Sequence, residues 1–226
     1  MVYLVFVVLF LVFLYGPQWW ARHTLLQYNR QDYFSGTGLE FARLLVAHLS
    51  LQGVRVIEDP LSSHYNPENR TVSIEARFAG RKTLAAVVVA AHEVSHAIQH
   101  AHEEVAFQAR MRLVQWAQSL ERVGYLVFIV LPLMTALFRL PALAGLTIVA
   151  AVAILITPLA VHLITLPVEW DASFNKALPL LLSGPFIPEE DLPSARQILL
   201  ACSLTYVAAA LAGFFNVWRW LKVLKR

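Results

Sequence analysis

The chain has 226 residues, 58% of them hydrophobic and 15% charged, with a mean hydropathy of +0.58 and a net charge of +3. A soluble domain is about 45–50% apolar and roughly 25% charged, so this composition excludes a disordered chain, a collagen-like repeat and an ordinary cytosolic enzyme. The excess positive charge does not point to nucleic acid, because Arg219, Lys222, Lys225 and Arg226 crowd beside an apolar segment, where basic residues read as membrane flank.

In chain order, residues 1–20 carry no Asp, Glu, Lys or Arg. Twenty helical residues cover about 30 Å, so this stretch is expected to be a transmembrane anchor, with Trp19 and Trp20 at the interface. It lacks the basic start and small-residue cleavage site of a signal peptide. Residues 21–122 carry soluble-domain grammar. Thr37 and Glu40 form a capping box ahead of a helix over 40–50, which Gly53 closes. Residues 54–58 and 71–75 alternate as short strands, separated by the Asp59-Pro60 break and the turn sequence Asn66-Pro67-Glu68-Asn69. A helix follows from about Lys82 through Ala101.

Residues 123–168 are expected to form a transmembrane hairpin turning near Arg139, with 169–196 a loop and short helix beyond Pro167. Residues 197–226 are expected to form a last transmembrane helix with its basic tail. Arginines flank the other side as well, so the positive-inside rule assigns no orientation. Cys202 is the single cysteine and lies in an apolar stretch, so the chain has no disulfide framework and no thiolate metal site.

The informative segment is Ala91-His92-Glu93-Val94-Ser95-His96. Two histidines four apart project from one helix face and can share one ion, while Glu93 is rotated just enough to reach a water on that ion. This is the HExxH arrangement of zinc peptidases. Zinc on three protein ligands keeps a fourth position for water and lowers its pKa to about 7; the neighbouring carboxylate then acts as general base. Two solvated histidines and a surface glutamate on an interfacial helix would give the same pattern without chemistry.

Three residues compete as third ligand. His102 has the metzincin offset, but Gln99 stands where that pattern needs a helix-breaking glycine. His100 continues the histidine face one turn further, as a solvated or supporting residue. Glu169 follows Pro167 in Pro167-Val168-Glu169-Trp170-Asp171, the position from which a downstream helix supplies the gluzincin glutamate. Glu169 is favoured. Asp171 could accept the free ring N–H of a liganding histidine, although it diverges from Glu169 on a regular helix. His64 and Tyr65 lie between the strands, where a side chain could steady an oxyanion or merely pack. His162, inside an apolar stretch, has no partner in the sequence.

Ser35-Gly36-Thr37-Gly38, His64-Tyr65-Asn66-Pro67, Ala91 to Ala101, Pro167 to Ser173 and Leu204 to Ala210 occur in an order that resembles the YugP-like family of bacterial membrane proteins, classed as neutral zinc metallopeptidases. The resemblance implies a membrane-integrated zincin with His92 and His96 as ligands, Glu93 as base and Glu169 as third ligand. Two departures are Asn66, where an aspartate is expected, and Phe174-Asn175, where basic residues are usual.

The sequence therefore predicts a mostly α, α+β protein: about four transmembrane helices and a small membrane-docked zincin-like domain built from a short β-hairpin and the motif helix. The expected activity is membrane-bound, zinc-dependent endopeptidase hydrolysis of membrane or membrane-proximal polypeptides, with one Zn2+ per chain, lipid bilayer as partner and no nucleic acid. A metal transporter or a non-catalytic zinc-binding scaffold or chaperone would share the histidines. The transporter would place them in the spans, and the scaffold would have no use for Glu93.

Overall fold

The computed structural model describes residues 2–138, 164–184 and 186–214, with scattered positions between 145 and 161. Helix α1 covers Val2–Gln27 and α2 Gly38–His48. Both halves of the capping box form: Glu40 N–H donates to Thr37 Oγ1 at 3.3 Å, and Thr37 N–H donates to Glu40 Oε2 at 2.8 Å. Gly38 is required by close approach, since a Cβ there would lie 2.7 Å from Phe78 O and 3.1 Å from Ala86 Cβ. Ser50 takes the left-handed turn after α2 (φ 51), and Gly53 (φ 75) turns the chain into the sheet.

Strands β1 (Arg55–Asp59), β2 (His64–Asn66) and β3 (Thr71–Glu75) form one sheet in the order β1-β3-β2. The two strands expected from alternation pair parallel, Val56 opposite Val72. The hairpin is instead β2–β3, with Tyr65 opposite Val72. This corrects the expected pairing; three residues are too few for β2 to show alternation.

The short helix α3 (Ala76–Ala79) leads into α4 (Leu84–Ala101), whose cap is Thr83, accepting from Ala86 N–H at 3.2 Å. Every residue from Leu84 to Ala97 is buried. An all-round apolar helix must lie at the centre of a fold, and α4 packs against α2, the sheet, and the helical segments downstream. Helix α5 runs Val105–Phe138 without a break at residue 122. Residues 164–170 are helical and pass into a π-helical turn, Asp171–Ala177, and then into α6, Leu178–Ser183. A 3-10 turn, Glu189–Asp191, precedes α7, Leu192–Phe214. Leu45, Val72, Ile74, Phe78, Val88, Leu181, Ile198 and Leu199 fill the core between them.

The expectation of about four transmembrane helices is overturned. Among the described residues, no helix is long and apolar enough to cross a membrane. The apolar letters serve other ends. The start of α7 buries Ala195, Ile198, Leu199 and Ala201 in the protein core, and α1 buries Ala21 and Leu25 there, packed along α7. The 123–138 stretch is the second half of α5, whose first half carries Arg110 and Arg112. Most of 140–168, including His162, lies outside the described residues.

Candidate metal centre

Helix α4 presents His92 and His96 on one buried face, their rings 4.9 Å apart. The helical run entering the π turn brings Glu169, fully buried, across from them. Glu169 Oε2 lies 3.3 Å from His92 Nε2 and 3.2 Å from His96 Nε2. Among the described residues, these three form a group whose ligand atoms all lie within 4.8 Å of one another. Four-coordinate zinc with bonds of 2.0–2.1 Å separates its ligand atoms by about 3.3–3.4 Å, so the spacing and the N,N,O donor set both fit that ion. Burial alone would raise the Glu169 carboxyl, but His96 and His92 outweigh it and hold the group well below the usual carboxylate range.

Both ring orientations are fixed from behind. Gln99 Nε2 donates to Val168 O at 3.0 Å and to Asp171 Oδ2 at 2.8 Å, which turns its Oε1 toward His96 Nδ1 at 2.9 Å. An amide oxygen can only accept, so the proton sits on Nδ1 and Nε2 keeps its lone pair for a metal. Ser173 Oγ lies 3.0 Å from His92 Nδ1, and its own proton has an acceptor in Leu199 O at 3.3 Å. That leaves Ser173 Oγ to accept from His92 Nδ1–H. Ser203 on α7 completes this cluster, 2.8 Å from Ser173 Oγ.

Asp171 therefore meets Gln99 and not a histidine. It also accepts from Asn175 Nδ2 at 2.9 Å and from Lys176 Nζ, which is 2.8 Å from Glu104 Oε1. Burial would raise the Asp171 carboxyl, but these three donors hold it at about 2. Asn175, noted in the sequence as a departure, thus touches the residue behind Gln99. The other Glu169 oxygen, Oε1, lies 3.0 Å from Arg110 Nη1 on α5, off the hydrogen-bond direction, so the two make an ion contact. The supporting roles of Gln99, Ser173, Ser203 and Arg110 do not follow from the sequence pattern. Gln99 alone carries a signal, as a polar residue one turn beyond His96 on the motif helix.

Glu93 is buried, its Oε2 has no hydrogen-bond partner among the described residues, and burial pushes its carboxyl up to about 7. With His92 it lines one end of a cleft of about 400 Å³. His64 and Tyr65, adjacent on β2, part ways. His64 lines that cleft, its Nδ1 3.2 Å from Ser62 Oγ. Tyr65 points elsewhere, its hydroxyl 2.8 Å from His100 Nδ1, beside Phe107. His100 thereby packs with Tyr65 and is not brought to the three ligand atoms. His102 is exposed at the end of α4, where its backbone N–H donates to Ile98 O.

Residues 3–225 match the model of a family described as "Putative neutral zinc metallopeptidase". The chain is 31% identical over 215 residues, 92% of each chain, to a protein of Bacillus subtilis (strain 168) named "Putative membrane protease YugP". No solved structure matches it.

Proposed function

The chain belongs to this family of neutral zinc metallopeptidases, and from that premise we infer that it is a zinc-dependent endopeptidase acting on polypeptides at or near a membrane surface. The observation that carries the reading is the convergence of His92 Nε2, His96 Nε2 and Glu169 Oε2 beside an unpartnered carboxylate oxygen of Glu93. His92, His96 and Glu169 would hold the ion. Zinc there supplies Lewis-acid polarisation of a carbonyl and acidifies water.

The remaining work falls to the chain's own residues. Glu93 Oε2 is aligned to no donor among the described residues, so it is available to take a proton from water and return it to the leaving nitrogen. The Gln99 and Ser173 contacts keep both imidazoles in one tautomer through the cycle. His64 lines the same cleft as Glu93, which supports a role for it in steadying the substrate carbonyl.

Work near a membrane is supported by the name of the Bacillus relative. It is also supported by the exposed apolar side chains of α1, among them Val8, Leu9, Val12 and Trp19. The test is Glu93→Gln. Peptide hydrolysis should fall by about 10²–10⁴-fold while one zinc per chain stays bound. Full hydrolysis by the zinc-loaded variant would remove Glu93 from the reaction.

A further inference from the structure

Beyond Glu93 and His92 the cleft continues between α1, α3, α4, α7 and the loop before β2. Its walls are Leu25, Phe78, Val89 and Cys202, each nearly buried by the surrounding fold, so the space is preformed. Val89 lies three residues before His92 on α4, which puts the apolar wall on the same helix face as the reacting end. At about 400 Å³ the cavity is within the range of small-ligand pockets.

Apart from Glu93, the acid and base facing the cleft, Glu75 and Arg77, are already paired. Arg77 Nε contacts Glu75 Oε1, and the Arg77 guanidinium lies 5.1 Å over the Phe78 ring. His64 Nδ1 meets Ser62 Oγ at 3.2 Å. A charged substrate side chain would lose its water against Leu25, Phe78 and Val89, where Arg77 is already paired with Glu75, which is costly. An aliphatic or aromatic side chain would exchange water for Leu25, Phe78 and Val89.

We propose that this cleft is the specificity pocket of the enzyme and takes a bulky, uncharged apolar side chain of the polypeptide substrate, next to the bond presented to Glu93. The proposal rests on the peptidase reading for the identity of the ligand, and its test separates the two. Leu61, 84% exposed at the mouth, is the outer contact for such a side chain.

The experiment measures binding of fluorescein-labelled Gly/Ala host peptides with a single Leu, Phe, Ala, Asp or Lys to zinc-loaded, full-length Glu93→Gln protein. In parallel, wild-type protein is assayed for hydrolysis of the same set. Leu and Phe peptides should bind at least about 10-fold more tightly than Asp and Lys peptides. Val89→Phe, which fills the cavity, should move the preference from Leu to Ala. Leu61→Asp, on an exposed site that the fold does not need, should weaken the Leu peptide by about 3-fold or more without changing zinc content.

Equal binding of Leu and Asp peptides would overturn the pocket, as would a Val89→Phe protein that keeps zinc and the wild-type ranking. Selective binding with no hydrolysis by wild type would support the pocket and overturn the peptidase reading. Hydrolysis with flat binding would do the reverse.

Discussion

The two arms of the metal centre are built on opposite plans. Helix α4 is a regular helix, and its i, i+4 spacing alone puts His92 and His96 on one face. The arm running from 164 to 183 is helical at both ends and π-helical over Asp171–Ala177, and no simple spacing rule describes what it brings forward. Yet most of the orientation comes from that second arm. Val168 O and Asp171 aim Gln99 at His96, and Ser173 meets His92. The first arm supplies the nitrogens, and the second decides which way they face.

Gln99 is the one supporting residue on α4 that ties the arms together, so it is the sharpest place to break the comparison. Gln99→Leu keeps the volume but leaves His96 Nδ1–H without an acceptor and Asp171 without one of its two amide donors. Zinc affinity, read by competition with a chromophoric chelator, should fall by about 10–100-fold. An unchanged affinity would mean that α4 orients its own histidines.

Ser173→Ala removes the acceptor for His92 alone and leaves the His96 side intact. Its cost should be smaller, about 10-fold in zinc affinity, with Ser203→Ala smaller still because Ser203 meets no ligand side chain, only Ser173 Oγ and the backbone carbonyls of Glu169 and Leu199. A Ser203→Ala effect larger than that of Ser173→Ala would reverse the roles assigned to the two hydroxyls.

The smallest effect concerns the zinc-free protein. The Glu93 carboxyl titrates near an ordinary 4.5 when unfolded and at about 7 when folded. A raised folded value favours the protonated, folded form, so this contribution is whole below the unfolded pKa and is lost as pH rises through the folded one. The Tm of wild type relative to Glu93→Gln should therefore decline by a few degrees as pH rises from about 4.5 to about 7, measured in chelator. A constant difference would show that Glu93 is not buried in the metal-free fold.

What the sequence could disclose follows the same division. The capping box at Thr37, strand β3 and the motif helix are local patterns, and each forms within a residue or two of its expected bounds. Strand β2 is too short to alternate, and the parallel pairing of β1 with β3 is a long-range choice that neither strand encodes. Asp171 diverges from Glu169 on any regular helix, so only the π turn and the interposed Gln99 explain how it serves the site. The apolar stretches resemble spans because a helix buried in protein and one in lipid share the same composition. For the first half of α7 the partner is α4 and the π turn, where Ile198, Leu199 and Ser203 are fully buried.

The central claim is that one divalent ion is held jointly by α4 and the chain at Glu169. Zinc K-edge X-ray absorption on the zinc-loaded wild type and on Glu169→Ala tests it most directly. The account predicts about four nitrogen or oxygen neighbours at roughly 2.0–2.1 Å in wild type, two of them imidazoles, and loss of one oxygen neighbour, with weakened binding, in the variant. A sulfur neighbour near 2.3 Å, or a zinc environment unchanged by Glu169→Ala, would contradict it.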